Sequence, residues 1–356
     1  MPLLALLVAG AAGAILTLII EARRSRSLAP VQHRYEQGML LMEEGRPSEA
    51  IAVFDTIIAE DGDATKDAIR AIVANSMLQK AEALRGADRP QDAVATCWDV
   101  DRRFGGEHHP GLQLAVCRAL LLRAQLAVGP GNSVDPAVGL IDELISRFDG
   151  SRDRYMVRVV AESQIIKAGI VGENGRLQEA FAILAQVVAA ASQQAGTQAD
   201  VVVVSALTQR GSLLEAAGDL EAALITYRAS RERAARNPAL RLAGEAGALG
   251  GEGRVLQALG RPEEALAKYE EILSFDELSR PLPRRYLVDA AKGKVDMLWK
   301  LGRREEALSG ADQLVRLART WGDNDLLAET SRGREWMVSR ASQPERECLP
   351  PSTQDS

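Results

Sequence analysis

Aromatic residues make up only 4% of the 356 residues, and histidine and cysteine occur three times each. Each scarcity excludes something. Cys97, Cys117 and Cys348 are odd in number and scattered, so no disulfide framework is encoded, which fits a reducing compartment. Cys97 sits at a packing position and reads as a buried thiol. A metal centre needs three or four converging ligands. His33 stands alone, His108 and His109 are adjacent on a connection and point different ways, and no Cys-x-x-Cys or His-Glu-x-x-His accompanies them. There is no basic stripe with interleaved aromatics, and the net charge is -6 with a pI near 5.4, so nucleic acid is not an expected partner. No Gly-x-Ser-x-Gly elbow and no phosphate loop ending in Gly-Lys-Ser/Thr is present. The glycine-rich run Gly247 to Gly253 follows no strand, as a dinucleotide fingerprint would require. It reads as close helix–helix approach or as a recess beside a ligand. Without a convergent acid, base or nucleophile, the expectation is a protein that is not an enzyme and carries no cofactor. Alternating strand patterns are also lacking: Val201 to Val204 is β-branched but lies inside a helical pattern.

A period fills the space these absences leave. Ala50, Ala93, Ala137, Ala180, Ala223, Ala265 and Ala307 recur at intervals of 43, 44, 43, 43, 42 and 42 residues. Four residues after each stands a side chain placed to pack: Phe54, Cys97, Ile141, Leu184, Tyr227, Tyr269 and Ala311. Five of the alanines have a glycine five residues upstream, at Gly45, Gly175, Gly218, Gly260 and Gly302. A fixed period in this range means stacked supersecondary units. Between Leu249 and Leu273 the apolar residues fall three and four apart, broken by Gly260-Arg261-Pro262. Glycine ends a helix easily and proline suits the first turn of the next, so the unit is helix, tight turn, helix.

These phrases resemble the tetratricopeptide repeat. The residues that carry the likeness are Gly38-x-x-Leu41 with Ala50/Phe54, Gly211-x-x-Leu214 with Ala223/Tyr227, and Gly253-x-x-Leu256 with Ala265/Tyr269. Repeats two, three, four and seven depart further; repeat two has Asp88 where the turn glycine is expected. The period, longer than the usual 34 residues, resembles the long-repeat class typified by kinesin light chains and some bacterial signalling proteins. The resemblance covers residues 31–321 and implies an all-α, right-handed superhelical solenoid of about seven hairpins. Residues 322–341 would form a capping helix and 342–356, with three prolines, a disordered tail.

Residues 3–20 form an uncharged apolar run followed by Arg23, Arg24 and Arg26. Eighteen helical residues span about 27 Å, enough for a bilayer core. The expectation is a transmembrane anchor over 1–22, a juxtamembrane linker over 23–30, and repeats in the cytoplasm by the positive-inside rule. A cleaved leader on an exported envelope-assembly protein is the rival. A single span followed at once by repeats also resembles the layout of the lipopolysaccharide assembly protein B family. The paired Cys-x-x-Cys knuckle of that family is missing, so its function is not carried over.

In tetratricopeptide arrays the first helix of each hairpin lines a concave groove that holds peptides. By that resemblance the partner-binding candidates are Asn75 and Gln79, Thr208 and Ser212, Gly250 and Arg254, and Asp289, Lys292, Asp296 and Trp299. Trp299 is placed either to anchor a partner or to pack against the capping helix. The expected function is a membrane-anchored scaffold that recruits a protein or peptide. A peptide-sensing regulator is the other reading. Oligomeric state is left open.

Overall fold

A computed structural model describes residues 27–129, 133–194, 196–275 and 282–341. Fifteen α-helices cover the described residues, and no strand occurs among them. The chain divides into two compact units, Met1–Arg176 and Leu177–Ser356. The first holds α1 (Leu28–Glu43), α2 (Pro47–Asp61), α3 (Asp67–Gly86), α4 (Pro90–Phe104), α5 (Pro110–Ala127), α6 (Asp135–Phe148) and α7 (Arg154–Glu173). The second holds α8 (Leu177–Ser192), α9 (Thr197–Ala216), α10 (Leu220–Ala235), α11 (Arg241–Ala258), α12 (Pro262–Ser274), α13 (Arg284–Lys300), α14 (Arg304–Trp321) and α15 (Asn324–Ala341). Within each unit successive helices pack as antiparallel hairpins, and alternate helices such as α9, α11 and α13 also touch.

The tight turns follow from one device. Gly45, Gly175, Gly218, Gly260 and Gly302 all adopt positive φ. The next residue then donates its N–H back to a carbonyl five residues earlier, as in Arg46 to Leu41, Arg261 to Leu256 and Arg303 to Leu298, each at 2.9 Å. This is the closing bond of a Schellman motif. Asp88 fills the same place at φ 57, and Arg89 still donates to Leu84 at 2.9 Å. Pro47, Pro90 and Pro262 open the helices that follow, where a missing N–H costs nothing.

Every phrase alanine is fully buried, and the residue four later is at most 5% exposed. Burying a Phe, Ile or Leu side chain contributes about 1.5–3 kcal/mol. The aromatic versions need glycine opposite them. A Cβ on Gly38 would lie 2.5 Å from the Phe54 ring. Tyr227 is held between Gly211 and Gly251, and Tyr269 between Gly253 and Gly293, where added Cβ atoms would fall 2.4–2.8 Å from ring carbons. Gly251 and Gly253 are therefore packing residues. Gly250, between them and Leu249, has nothing nearer than Arg254 Nη1 at 3.9 Å.

A second period runs across the junctions between hairpins. Five residues after the phrase alanine, a side chain of the second helix meets one from the first helix of the next hairpin. The pairs are Asp55–Lys80 (2.6 Å), Asp142–Lys167 (2.6 Å) and Glu270–Lys294 (3.1 Å). At α10/α11 the charges are reversed: Glu252 is fully buried and pairs with Arg231 at 2.7 Å, with Arg228 at 4.0 Å. At α4/α5 the acid is replaced by Trp98, whose ring covers the Arg123 guanidinium at 3.4 Å.

One expectation is corrected. No helix among the described residues is long and apolar enough to cross a membrane. The single-pass placement with cytoplasmic repeats is therefore not retained. It rested on residues 1–22, which lie outside the described residues, as does the tail 342–356.

Candidate functional site

The second unit sets α9, α11 and α13 side by side, and the candidate residues fall into register on them. Thr208, Gly250 and Lys292 are 42 residues apart, as are Ser212, Arg254 and Asp296. A third row with the same spacing is Glu215, Gln257 and Trp299, of which only Trp299 was expected. The rows are one helical turn apart, so they share a face.

Arg254 ties the second row to the third. Its Nε and Nη2 donate to Glu215 at 3.0 and 3.1 Å, and Nη2 also reaches the Tyr227 hydroxyl at 3.2 Å. That hydroxyl donates to Glu215 at 2.9 Å. Burial, and then the neighbouring Glu215 charge, push the Tyr227 phenol well above its ordinary pKa. One hairpin on, Tyr269 is pushed up to about 12, chiefly by burial. Its hydroxyl lies 3.5 Å from Gln257 Oε1. The packing tyrosines thus send their polar tips to the first-helix face. Glu215–Tyr227 and Gln257–Tyr269 are each 12 residues apart, a spacing that could have disclosed both pairs in the sequence.

The other candidates differ in what they offer. Ser212, Asp289 and Asp296 are exposed. Crowding by the protein raises the Asp296 pKa, and Lys300 and Lys292 work against that rise. Lys292 is bound to Glu329 of α15 at 2.7 and 2.8 Å. Trp299 is half-buried, packs against Trp336 of α15 with the rings tilted by 52° and 5.5 Å apart, and carries the Arg304 guanidinium 3.9 Å above its ring. Thr208 is turned toward α10: its hydroxyl donates to the Val204 carbonyl at 2.8 Å and lies 2.9 Å from Ser230 Oγ. Arg254, Gln257, Ala258 and Lys300 line a shallow recess of about 340 Å³. Asn75 and Gln79 belong to the first unit and are half-buried on α3. Asn75 donates to the Ala71 carbonyl at 2.9 Å, and Gln79 lies beside Tyr35. Among the described residues no group of His, Cys, Asp and Glu is arranged to hold a metal ion.

No family model matches the chain, and no curated protein sequence matches it. Solved structures do. The apo form of the quorum sensor NprR from B. thuringiensis matches with a TM-score of 0.53 at 14% identity, over 92% of this chain and 87% of that one. Aspartyl phosphate phosphatase F from Bacillus subtilis gives 0.53 at 10% identity, over 88% and 81%. A tetratricopeptide repeat protein from Parabacteroides merdae gives 0.48 at 10%, over 86% and 98%. The fold is tetratricopeptide-like. At these identities the likeness speaks for the fold alone.

Proposed function

We propose that the chain is a binding protein, and that the face formed by α9, α11 and α13 holds a peptide or protein segment. The observation that supports this most is the register of three polar rows on adjacent first helices. They supply donors, acceptors and one aromatic at repeated spacing, a surface suited to an extended ligand. Ser212, Asp289 and Asp296 are free to meet solvent, Arg254 presents a partly exposed guanidinium, and Trp299 offers a half-buried indole. Asn75 and Gln79 would form a separate contact on the first unit. Whether the bound segment is cargo or signal depends on its chemistry; NprR, whose fold is similar, is a quorum sensor.

Site-specific photo-crosslinking in the native cell tests the reading. A crosslinker at Ser212 or Asp289 should yield a defined adduct that weakens with Arg254→Ala and Trp299→Ala. The same group at Ile225, exposed on α10, should not. Equal adducts from both faces, unaffected by the two variants, would refute the proposed surface.

A further inference from the structure

One cavity in the second unit shares no residue with that face. It lies among α12, α13 and α14, measures about 480 Å³, and is walled by Leu273, Leu287, Val295, Leu314, Leu317 and Trp321. That volume is within the range of small-molecule sites, about 300–1,000 Å³. Its α14 wall runs from Gly310 to Trp321, about 16 Å at 1.5 Å per residue.

This junction departs from two of the first unit. In the first unit the gap between successive second helices is bridged by an arginine ten residues after the phrase alanine. Arg103 donates to the Gly62 carbonyl, and Arg147 to the Gly105 carbonyl and to Asp101 at 2.8 Å. On α14 that register holds Leu317. Three residues after the alanine, where the other repeats have Val53, Thr96, Leu140, Ile183, Thr226 and Lys268, α14 has Gly310. A Cβ there would meet Val295 Cγ2 at 2.8 Å, so α14 sits close to α13 while contributing no side chain at that position. A bridge and a wall are replaced by an apolar recess.

The charges beside it select what can enter. Glu270 and Lys294 both line the cavity and are paired with each other at 3.1 Å. The pair is 35% and 47% exposed and already satisfied, so it offers a charged ligand no free counter-charge, and the rest of that ligand's charge would lie against leucines and an indole. A neutral body leaves the pair intact and gains contact with the leucines and the indole. The Gln313 amide on the wall can take one hydrogen bond. We infer that this cavity binds a neutral, largely apolar small molecule carrying at most one or two hydrogen-bonding groups.

Two dyes that differ by one sulfonate test this on the full chain. N-phenyl-1-naphthylamine is neutral, and 8-anilinonaphthalene-1-sulfonate is its anionic counterpart. The neutral dye should bind saturably at one site, and the sulfonate at least about tenfold more weakly, about 1.4 kcal/mol. Ala291→Trp, which fills the cavity, and Leu317→Arg, which returns the arginine of the first unit, should each weaken the neutral dye at least about tenfold. Their circular dichroism should be unchanged; if Ala291→Trp fails to fold, Leu317→Arg, a substitution at a half-buried position, still reads the site. Glu270→Gln frees Lys294 and should narrow the gap between the dyes. Neutral-dye binding that does not saturate, or that both variants leave unchanged, would overturn the site. Equal affinity of the two dyes for the unaltered chain would overturn the choice of ligand class.

Discussion

Gly250 and Gly251 are adjacent on one helix, and alanine should act on them in opposite directions. In a helix interior the change from glycine to alanine is worth about 0.8–1 kcal/mol in propensity. At position 250 the nearest neighbours of an added Cβ are 3.9 and 4.0 Å away, an ordinary contact, so Gly250→Ala should keep most of that gain. At position 251 the Cβ would fall 2.4 Å from two carbons of the Tyr227 ring. The ring cannot simply slide. Gly211 closes its other face, and its hydroxyl is held by Glu215 and Arg254 at 2.9 and 3.2 Å. Overpacking costs about 1–3 kcal/mol. Losing a hydrogen bond to a charged partner costs about 1.5–3 more. After the propensity gain, Gly251→Ala should lose about 1.5–5 kcal/mol. Urea titration followed at 222 nm measures both, read as shifts of the midpoint because repeat arrays can unfold in stages. Tyr227→Leu removes the ring, so it should absorb the cost of Gly251→Ala, with a favourable coupling of at least about 1.5 kcal/mol in a double-mutant cycle. Gly251→Ala within about 0.5 kcal/mol of Gly250→Ala, or no coupling to Tyr227, would refute the clamped-ring account.

Asp88 holds the left-handed turn that glycine holds elsewhere; Asp88→Gly should raise stability by about 0.5–1 kcal/mol, while Asp88→Val should lower it in the same denaturation assay. Arg123 is 6% exposed, one guanidinium nitrogen has no hydrogen-bond partner, and burial lowers its pKa. Arg123→Met should therefore be neutral or stabilising despite losing the contact with Trp98, and a loss above about 2 kcal/mol would show that the indole compensates the buried charge. Burial pushes the Cys97 and Cys117 thiols up to about 12 from an ordinary 9.0. Because the folded pKa is raised, the thiols' contribution is intact below about pH 9 and is lost as pH rises toward 12, so stability should fall across that window. In a Cys348→Ser chain, Ellman's reagent at pH 8 should find neither remaining thiol until the protein unfolds.

The fold was legible because it is written many times over. A single Gly-x-x-x-x-Ala phrase would say little, but seven phrase alanines at nearly constant spacing fix the period, and each glycine in the turn then has a stereochemical reason. Asp88 shows how a departure is absorbed: the turn keeps its geometry and the residue takes the strain. The candidate face was half legible. The tetratricopeptide resemblance put Ser212, Arg254, Asp296 and Trp299 on first helices, but it cannot show which way a short polar side chain turns. Thr208 bonds back to its own helix and toward α10, a habit of hydroxyls in helices. Glu215 and Gln257 were missed because tyrosines at packing positions were read for their rings and not for their hydroxyls. The cavity at α14 was illegible for another reason. Gly310 and Leu317 can be read in the sequence, but the gap they border shows only when the helices are seen packed.

The charge pairs between hairpins raise a problem of specificity that the period itself creates. Hairpins built on one pattern could stack in the wrong order, and the apolar phrases alone would not forbid it. Three junctions set an acid on the second helix against a base on the first helix that follows, whereas α10/α11 reverses the signs. Docking α11 on α2 would bring Glu252 against Asp55, two like charges where the native partner is Lys80. The reversed pair is also the buried one. The Glu252 side chain is 1% exposed, against 35% for Lys294 and 47% for Glu270. Reversing a charge at this register should then cost very different amounts at the two junctions. Lys294→Glu puts like charges at a wet surface and should lose no more than about 1 kcal/mol. Glu252→Lys buries an uncompensated cation beside Arg231 and Arg228 and should lose about 3–5 kcal/mol. The midpoints of urea unfolding for the two variants decide the matter. Equal losses would mean that burial does not set the strength of these pairs, and that the reversal at α10/α11 has no special hold on the order of the hairpins.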